Sequence, residues 1–163
     1  MWFTQIGNGD RVGKITMSET ITEYTRHDST SDTTGDGTDG IAVGSDGHIW
    51  VVEAGLGDLA KIDPAGGAFT EYHLGLGPSG TPLQDIAAAP NGVLWLSAPA
   101  WGVQFTPGSL SAISTTDGSV ITSASLPGYV KVTTFASDSS ARLFRDPLGD
   151  FWADGIGIYQ ISP

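Results

Sequence analysis

The stretch IAVGSDGHIWVVE, from Ile41 to Glu53, decides the fold, because it has the pattern of a strand, a tight turn and a second strand. Its centre, Ser45-Asp46-Gly47, suits a sharp reversal, since Asp tolerates tight backbone angles and Gly adopts positive φ without steric cost. The residues that follow are apolar and mostly β-branched around Trp50, which is typical of a buried strand. The stretch therefore predicts a β-hairpin whose second strand is buried.

The same frame recurs along the chain. IAAAPNGVLW runs from Ile86 to Trp95, LFRDPLGDFW runs from Leu143 to Trp152, and the opening MWFT repeats the second half of the frame. Each full copy has an apolar start, a turn of Pro, Asp, Asn or Gly, and an apolar finish that ends on Trp. A repeat with a period of roughly 40 to 50 residues is typical of four-stranded propeller blades.

Each period also contains a third and a fourth strand pattern, such as LAKID followed by AFTEY in the second copy. No window of helical length shows a 3.6-residue period, so almost no helix is expected. We predict one all-β, β-propeller-like domain over residues 1–163. It has about four blades of four-stranded antiparallel sheet, two complete and two partial. The repeats cover approximately residues 1–27, 40–77, 85–126 and 141–163.

Two segments, 28–39 and 128–140, interrupt the repeat and are interpreted as insertions. The first is rich in Asp, Ser, Thr and Gly, and its Asp32, Asp36 and Asp39 are candidate oxygen ligands for Ca²⁺. Their spacing does not match an EF-hand, and no bidentate Glu stands at the required end. The alternative interpretation, which the composition favours, is a solvated acidic loop.

Two aromatic residues outside the repeat are candidate binding residues. Trp101 lies in the segment APAWGVQFTPG between two predicted strands, and Tyr129 lies in the second insertion. Large aromatic side chains in loops can anchor a partner or form a stacking platform for a glycan. A lid over the adjacent core is the alternative role for Trp101.

Composition and charge narrow the classes of partner. The chain has 18 Asp and Glu against 7 Lys and Arg, a net charge of −11, so nucleic acid and anionic lipid are not expected to bind. It contains no cysteine, which excludes disulfides and thiolate metal sites. No apolar run has the length of a membrane span, and the strand-like start MWFT does not resemble a signal peptide. We therefore expect synthesis in a cytoplasm without membrane insertion, and the alternative is that a processed segment has been left off the sequence.

Longer phrases of the chain resemble the repeats of the streptogramin lyase (virginiamycin B lyase-like) family. They are MWFTQ…GDRVGKIT…ITEY at the start and DGIAVGSDGHIWVVEAG…LAKIDP…FTEY in the second repeat. The resemblance is strong up to about Leu96, weak through Ser140 and partial afterwards. It implies a propeller fold. It says less about function, because one fold serves many roles.

The resemblance also implies an activity, the Mg²⁺-dependent elimination that opens a cyclic depsipeptide antibiotic at its ester. In the family a His precedes the Gly-Ile pair of a blade, and a Glu ends the strand that follows. Here Asp39 stands before Gly40-Ile41, whereas Glu53 is at the expected distance. No blade has both the His and the Glu, so Asp39 and Glu53 are the candidate residues if a catalytic or cation site exists.

We expect a non-catalytic structural or binding module without a required cofactor, such as a component of a virion or surface fibre. A streptogramin-type lyase that uses Mg²⁺, with a ring completed by several subunits, is the first alternative. A carbohydrate-binding propeller is the second. The repeat lacks an innermost strand at its start and a fourth strand at its end. Because such open edges favour association, we expect self-association or a place in a larger assembly.

Overall fold

A computed structural model describes residues 1–5, 11–25, 38–54, 57–74, 76, 83–98, 109–125, 142–145, 151–154 and 158–161, and for the last three ranges the description covers the backbone. These residues form four antiparallel sheets, here called blades 1 to 4. Blade 1 contains β1 (Trp2–Gln5), β2 (Arg11–Ile15) and β3 (Ile21–Thr25). Blade 2 contains β4 (Thr38–Val43), β5 (Ile49–Glu53), β6 (Asp58–Ile62) and β7 (Phe69–Tyr72).

Blade 3 contains β8 (Asp85–Ala89), β9 (Val93–Ala98), β10 (Ser109–Ser114) and β11 (Val120–Ser125). Blade 4 contains β12 (Arg142–Arg145), β13 (Phe151–Asp154) and β14 (Ile158–Ile161). A short 3-10 turn at Pro90–Gly92 is the one helical element of the described residues. The predicted all-β fold, with two complete and two partial blades, is confirmed.

Strands that are consecutive in sequence are neighbours within every blade, so each blade is an antiparallel meander. In blades 2 and 3 the first strand is followed by the strand that carries the repeat tryptophan, Trp50 or Trp95. In blade 1 the tryptophan strand is β1 itself, since Trp2 pairs with Lys14 as Trp50 pairs with Lys61. The described part of blade 1 therefore corresponds to the second, third and fourth strands of a complete blade.

The first strands of neighbouring blades approach closely. At Gly40 of β4, an added Cβ would lie 2.8 Å from both the Cα of Asp85 and the backbone nitrogen of Ile86 in β8. Backbone atoms cannot move aside as a flexible side chain can, so only glycine fits at this position. Gly40 therefore marks the place where blade 2 packs against blade 3.

The hydrophobic core lies between the faces of adjacent blades. Between blades 1 and 2, Val12 packs with Ile49, Val51 and Ile62, and Trp2 lies against this cluster. Between blades 2 and 3 a larger cluster is formed by Trp50, Val52, Leu59, Leu83, Ile86, Leu94, Leu96, Ala98 and Ile113. Because β5 has a neighbouring blade on each face, all of its residues are buried. This explains why its sequence is almost continuously apolar.

The hairpin turn of blade 2 is fastened to the tryptophan by Asp46. The Asp46 carboxylate accepts a hydrogen bond from Trp50 Nε1 at 3.2 Å and forms a 2.8 Å ion pair with Lys61. The Lys61 ammonium also lies 5.2 Å from the centre of the Trp50 ring, and Tyr72 stacks on this ring at 5.3 Å. Asp46 therefore forms the turn and also connects it to the side chains of Trp50 and Lys61.

Blade 1 repeats the stacked arrangement of lysine, tryptophan and tyrosine. Lys14 lies 5.3 Å from the centre of the Trp2 ring, and Tyr24 stacks on that ring at 5.4 Å. In blade 3 the register positions of this lysine and tyrosine are taken by Ala112 and Ala124. The third blade therefore keeps the tryptophan of the repeat and replaces two of its partners.

Strand β4 begins at Thr38, so it includes the last residues of segment 28–39. Within the described ranges, no helix has the length and apolar character that a membrane crossing requires.

Candidate functional site at the long-loop end

The two ends of the blades differ in the length of the segments that join the strands. One end is closed by the short segments 16–20, 44–48, 63–68, 90–92, 115–119 and 146–150. The other end, here called the long-loop end, is where segments 6–10, 26–37, 54–57, 73–84, 99–108, 126–141 and 155–157 join the strands. Binding residues of repetitive β folds usually lie in such connections, because a rigid scaffold tolerates variation there. Asp39 and Glu53 both belong to this end.

Glu53 is the last residue of β5 and is deeply buried, with 1% of its surface exposed. Its strand neighbours are Thr38 of β4 on one side and Asp58 of β6 on the other. The backbone carbonyl of Glu53 also accepts a hydrogen bond from Gly57, which closes the turn into β6. With 1% of the residue exposed, the carboxylate is not presented to solvent.

Asp39 lies in a β-bulge beside Glu53. Thr38 pairs with Glu53 and Ile41 pairs with Val51, so Asp39 and Gly40 together face one residue of β5. Bulges of this kind redirect a strand and are frequent next to active sites. The bulge brings the backbone of Asp39 to the end of the blade at which Glu53 lies.

A hydrogen-bonded pair that the sequence analysis did not predict lies at the same end. His73 Nδ1 is 2.6 Å from the Asp58 carboxylate, and the other oxygen of Asp58 accepts a hydrogen bond from the Leu74 amide at 3.2 Å. The hydrogen bond and the charge of Asp58 raise the pKa of His73 above its ordinary value. Asp58 is buried, whereas the His73 side chain is 76% exposed. Only the pairing of β6 with β7 shows that these residues meet.

The start of β8 presents two further polar residues. Gln84 occupies the register position of Asp39, and its backbone donates a hydrogen bond to Ser97 at 2.9 Å. Its side-chain oxygen is buried and has no hydrogen-bond partner among the described residues. Asp85 occupies the position of Gly40, and its carboxylate accepts a hydrogen bond from the Ile86 amide. Blade 3 therefore differs from blade 2 at both positions that precede the recurring hairpin pattern, which starts at Ile41 and Ile86.

Several predicted site residues lie outside the described ranges. They are Asp32, Asp36, Trp101 and Tyr129, and the calcium and glycan predictions that depend on them stay predictions. Among the described residues, no group of three His, Asp or Glu side chains is arranged to hold a metal ion. The Mg²⁺ site that the lyase resemblance implies stays a prediction, because nothing is described of the Asp39 side chain.

No family model matches the chain, and no curated protein matches it either. The structure nevertheless defines its class, because four antiparallel meanders that pack face to face with their first strands adjacent are blades of a β-propeller. More particularly, the fold is similar to that of the streptogramin lyases. Virginiamycin B lyase from Staphylococcus aureus matches with a TM-score of 0.70 and 22% identity, over 99% of this chain. A streptogramin B lyase matches with a TM-score of 0.68 and 20% identity, over 98% of this chain.

The chain spans about half the length of these lyases, 48% of the first and 47% of the second. The extracellular domain of a one-component system from B. thetaiotaomicron also matches, with a TM-score of 0.59 and 13% identity. That match covers 98% of this chain and 18% of the other. The predicted resemblance to streptogramin lyases is confirmed at the level of the fold. Because the same fold also occurs in extracellular domains, the likeness does not assign an activity.

Proposed function

We propose that this chain is a non-catalytic propeller module that binds a partner or ligand at its long-loop end. The observation that carries the proposal is the burial of Glu53, which has 1% of its surface exposed. A general base must come within hydrogen-bond distance of the proton that it removes. A carboxylate with so little exposed surface does not reach a substrate in solvent. The position before Gly40, where the lyase resemblance implies a histidine, is occupied by Asp39.

The proposal is tested by an assay for opening of a cyclic depsipeptide antibiotic in the presence of Mg²⁺. We expect the rate to equal that of buffer, and we expect Glu53→Gln to change the stability of the protein without affecting this rate. Ring opening that requires Mg²⁺ and disappears in the Glu53→Gln variant would contradict the proposal. A variant that remains folded by circular dichroism is needed for that comparison.

A streptogramin-type lyase is the second candidate, and one observation favours it. The exposed imidazole of His73 is held by Asp58 beside Glu53, which is an arrangement that can accept a proton. If this candidate is correct, His73→Ala should abolish the Mg²⁺-dependent ring opening. His48→Ala is the matched control, because His48 lies in the hairpin turn at the opposite end of the same blade.

The absence of a required cofactor is part of the proposal. We expect the melting temperature of the protein to be the same after dialysis against a chelator and after addition of millimolar Ca²⁺ or Mg²⁺. A rise with Ca²⁺ that is lost in an Asp32→Asn, Asp36→Asn double variant would instead support a calcium site in segment 28–39. In that case binding at the long-loop end would depend on the ion.

We further propose that the module acts on the surface of a particle, such as a virion or a surface fibre. The support is the acidic, turn-rich character of the propeller unit, with 18 Asp and Glu against 7 Lys and Arg. Mass spectrometry of purified particles should recover the chain in a fixed ratio to the major structural protein. Recovery only from the soluble fraction of the producing cells would contradict this setting.

A further inference from the structure

The buried carboxylate of Asp58 holds the first two residues that follow β7. One of its oxygens lies 2.6 Å from His73 Nδ1, and the other accepts a hydrogen bond from the Leu74 amide at 3.2 Å. Asp58 is 7% exposed, whereas the His73 side chain is 76% exposed. A buried acid is therefore paired with a donor that is open to solvent and to changes of pH.

Two further carboxylates act on the same imidazole. Glu53 of β5 is the register partner of Asp58 in β6, and opposed residues of neighbouring strands place their side chains on the same face. Glu71 of β7 lies two residues before His73. The negative charges of Asp58, Glu71 and Glu53 all favour the protonated form of the imidazole. Three adjacent strands thus contribute one acid each to the surroundings of His73.

The lysine and arginine side chains that the structure describes are engaged elsewhere. Arg11 forms an ion pair within blade 1, and Lys14 and Lys61 reach the short turns at the opposite end of the blades. Within the described part of the chain, the imidazole of His73 is therefore the group that can offset the charge of Asp58. It does so only while it is protonated.

We propose that His73 is a proton-controlled latch, which holds the backbone of Leu74 on β6 while the imidazole is charged and releases it when the imidazole is neutral. A neutral imidazole can still donate from Nδ1, but it no longer offsets the charges of Asp58 and Glu53. Because a buried charge without compensation is costly, the Asp58 carboxylate then turns toward water and gives up the Leu74 amide. Leu74 packs against the core cluster around Trp50, so its release loosens the edge of that core.

The latch is closed on the acid side. The hydrogen bond and the charge of Asp58 raise the pKa of His73 above its ordinary value of 6.5. The stabilising contact is therefore complete below pH 6.5 and is lost as the pH rises through the raised pKa. This inference does not rest on the proposed function, since it concerns the order of the strand ends and not what binds there.

The test is the hydrogen-exchange protection of the Leu74 amide, measured by NMR relative to an unstructured peptide at the same pH. We expect the protection to be severalfold lower above the raised pKa of His73 than below pH 6.5. The control is the Thr115 amide of blade 3, which donates to the carbonyl of Gly92 at 2.8 Å at the opposite end of the blades. Its protection should change little. Equal protection of Leu74 at both pH values, or an equal fall at Thr115, would overturn the inference of a local latch.

Two variants separate the charge of His73 from its hydrogen bond. His73→Gln keeps a hydrogen-bond donor that cannot be charged, so the protection of Leu74 should be low at both pH values. His73→Lys supplies a charge at both pH values and should restore the protection above the raised pKa. Because the His73 side chain is largely exposed, both variants should remain folded.

His48→Gln is the matched control, because His48 lies in the hairpin turn at the opposite end of blade 2. It should leave the pH dependence of the Leu74 protection unchanged. A pH dependence that persists in His73→Gln, or that disappears in His48→Gln, would show that another group is responsible and would overturn the inference. These outcomes concern amide protection alone, so they are distinct from any result of the ring-opening assay.

Discussion

Tyr72 of blade 2 lies against Gly118 of blade 3, so closely that a Cβ on Gly118 would collide with the tyrosine ring. The same contact joins Tyr24 of blade 1 to Gly67 of blade 2. At each junction a lysine completes the contact. Lys61 donates to the carbonyl of Thr115 at 3.4 Å, as Lys14 donates to that of Pro64 at 3.2 Å. Blades 1 and 2 are therefore each fastened to a turn of the next blade by the tyrosine and lysine that flank their own tryptophan.

Replacement of Gly118 by alanine should weaken the packing of blade 3 against blade 2. The change introduces a side chain at a φ of 69° and displaces the Tyr72 ring, so we expect a loss of about 2–4 kcal/mol of unfolding free energy. Gly47→Ala is the control, because Gly47 has a φ of 79° but no atom within 4 Å of an added Cβ. It should lose about 1 kcal/mol from backbone strain alone. Equal losses in urea unfolding would show that the tyrosine contact adds nothing.

Replacement of Gly40 by alanine should disturb the contact between the first strands of blades 2 and 3. The added methyl would press on the backbone at Asp85 and Ile86, so we expect a loss of about 2–4 kcal/mol in urea unfolding. Gly66→Ala is the comparison, since the nearest atom, a carboxylate oxygen of Asp63, would lie 3.6 Å away in ordinary contact. It should change the unfolding free energy by less than about 0.5 kcal/mol. A well-tolerated Gly40→Ala would mean that the inner strands separate easily.

Asp46 should make the stability of the protein depend on acid. Partial burial alone would raise the pKa of Asp46, but hydrogen bonds from Lys61, Trp50 and His48 outweigh burial and lower this pKa below its ordinary value of 3.8. The stabilisation is therefore complete above pH 3.8 and is lost as the pH falls through the lowered pKa. Urea unfolding at neutral and acid pH should show a smaller difference for Asp46→Asn than for the wild type.

The matched control for Asp46 is Asn91→Asp in blade 3. Asn91 has the same place in the repeat frame, with a φ of 68° that Asp46 does not share, and the residue that pairs with Trp95 there is Ala112 and not a lysine. The added carboxylate has no equivalent of Lys61 and should bring no acid-dependent stabilisation. If Asn91→Asp adds as much acid-dependent unfolding free energy as Asp46 supplies, the turn itself, and not the ion pair, causes the pH dependence.

The pKa of His73 should fall toward its ordinary value of 6.5 when Asp58 is replaced by asparagine. The hydrogen bond and the charge of Asp58 are the main causes of the raised pKa, while the charge of Glu71 is a weaker cause. Glu71→Gln should therefore lower the pKa less, and NMR titration of the imidazole measures both variants. In the wild type this pair stabilises the fold below pH 6.5, and the stabilisation is lost as the pH rises through the raised pKa. Equal shifts in the two variants would contradict this assignment.

The fold could be predicted because the same turn and strand patterns recur along the chain. The turn at Ser45-Asp46-Gly47 and the apolar strand around Trp50 predict a hairpin by short-range chemistry, and their recurrence predicts further blades. The choice of Asp39 and Glu53 as candidate site residues stays a prediction. The sequence did not predict the pair of Asp58 with His73, because that contact depends on strand register. Register is a long-range property that sequence spacing does not reveal.

By itself, the sequence determined the all-β class, the repeat and the positions of its turns, because turn chemistry and alternation act over a few residues. The tertiary structure alone decided how blades are joined. Tyr24 and Gly67 are far apart in sequence and meet only because one blade packs on the next. It also decided which apolar residues are left open, since Ile21 and Phe69 have equivalent places in their blades and differ in whether another blade covers them. Whether such an apolar side chain is buried depends on which blade packs against it, and that is a property of the tertiary structure.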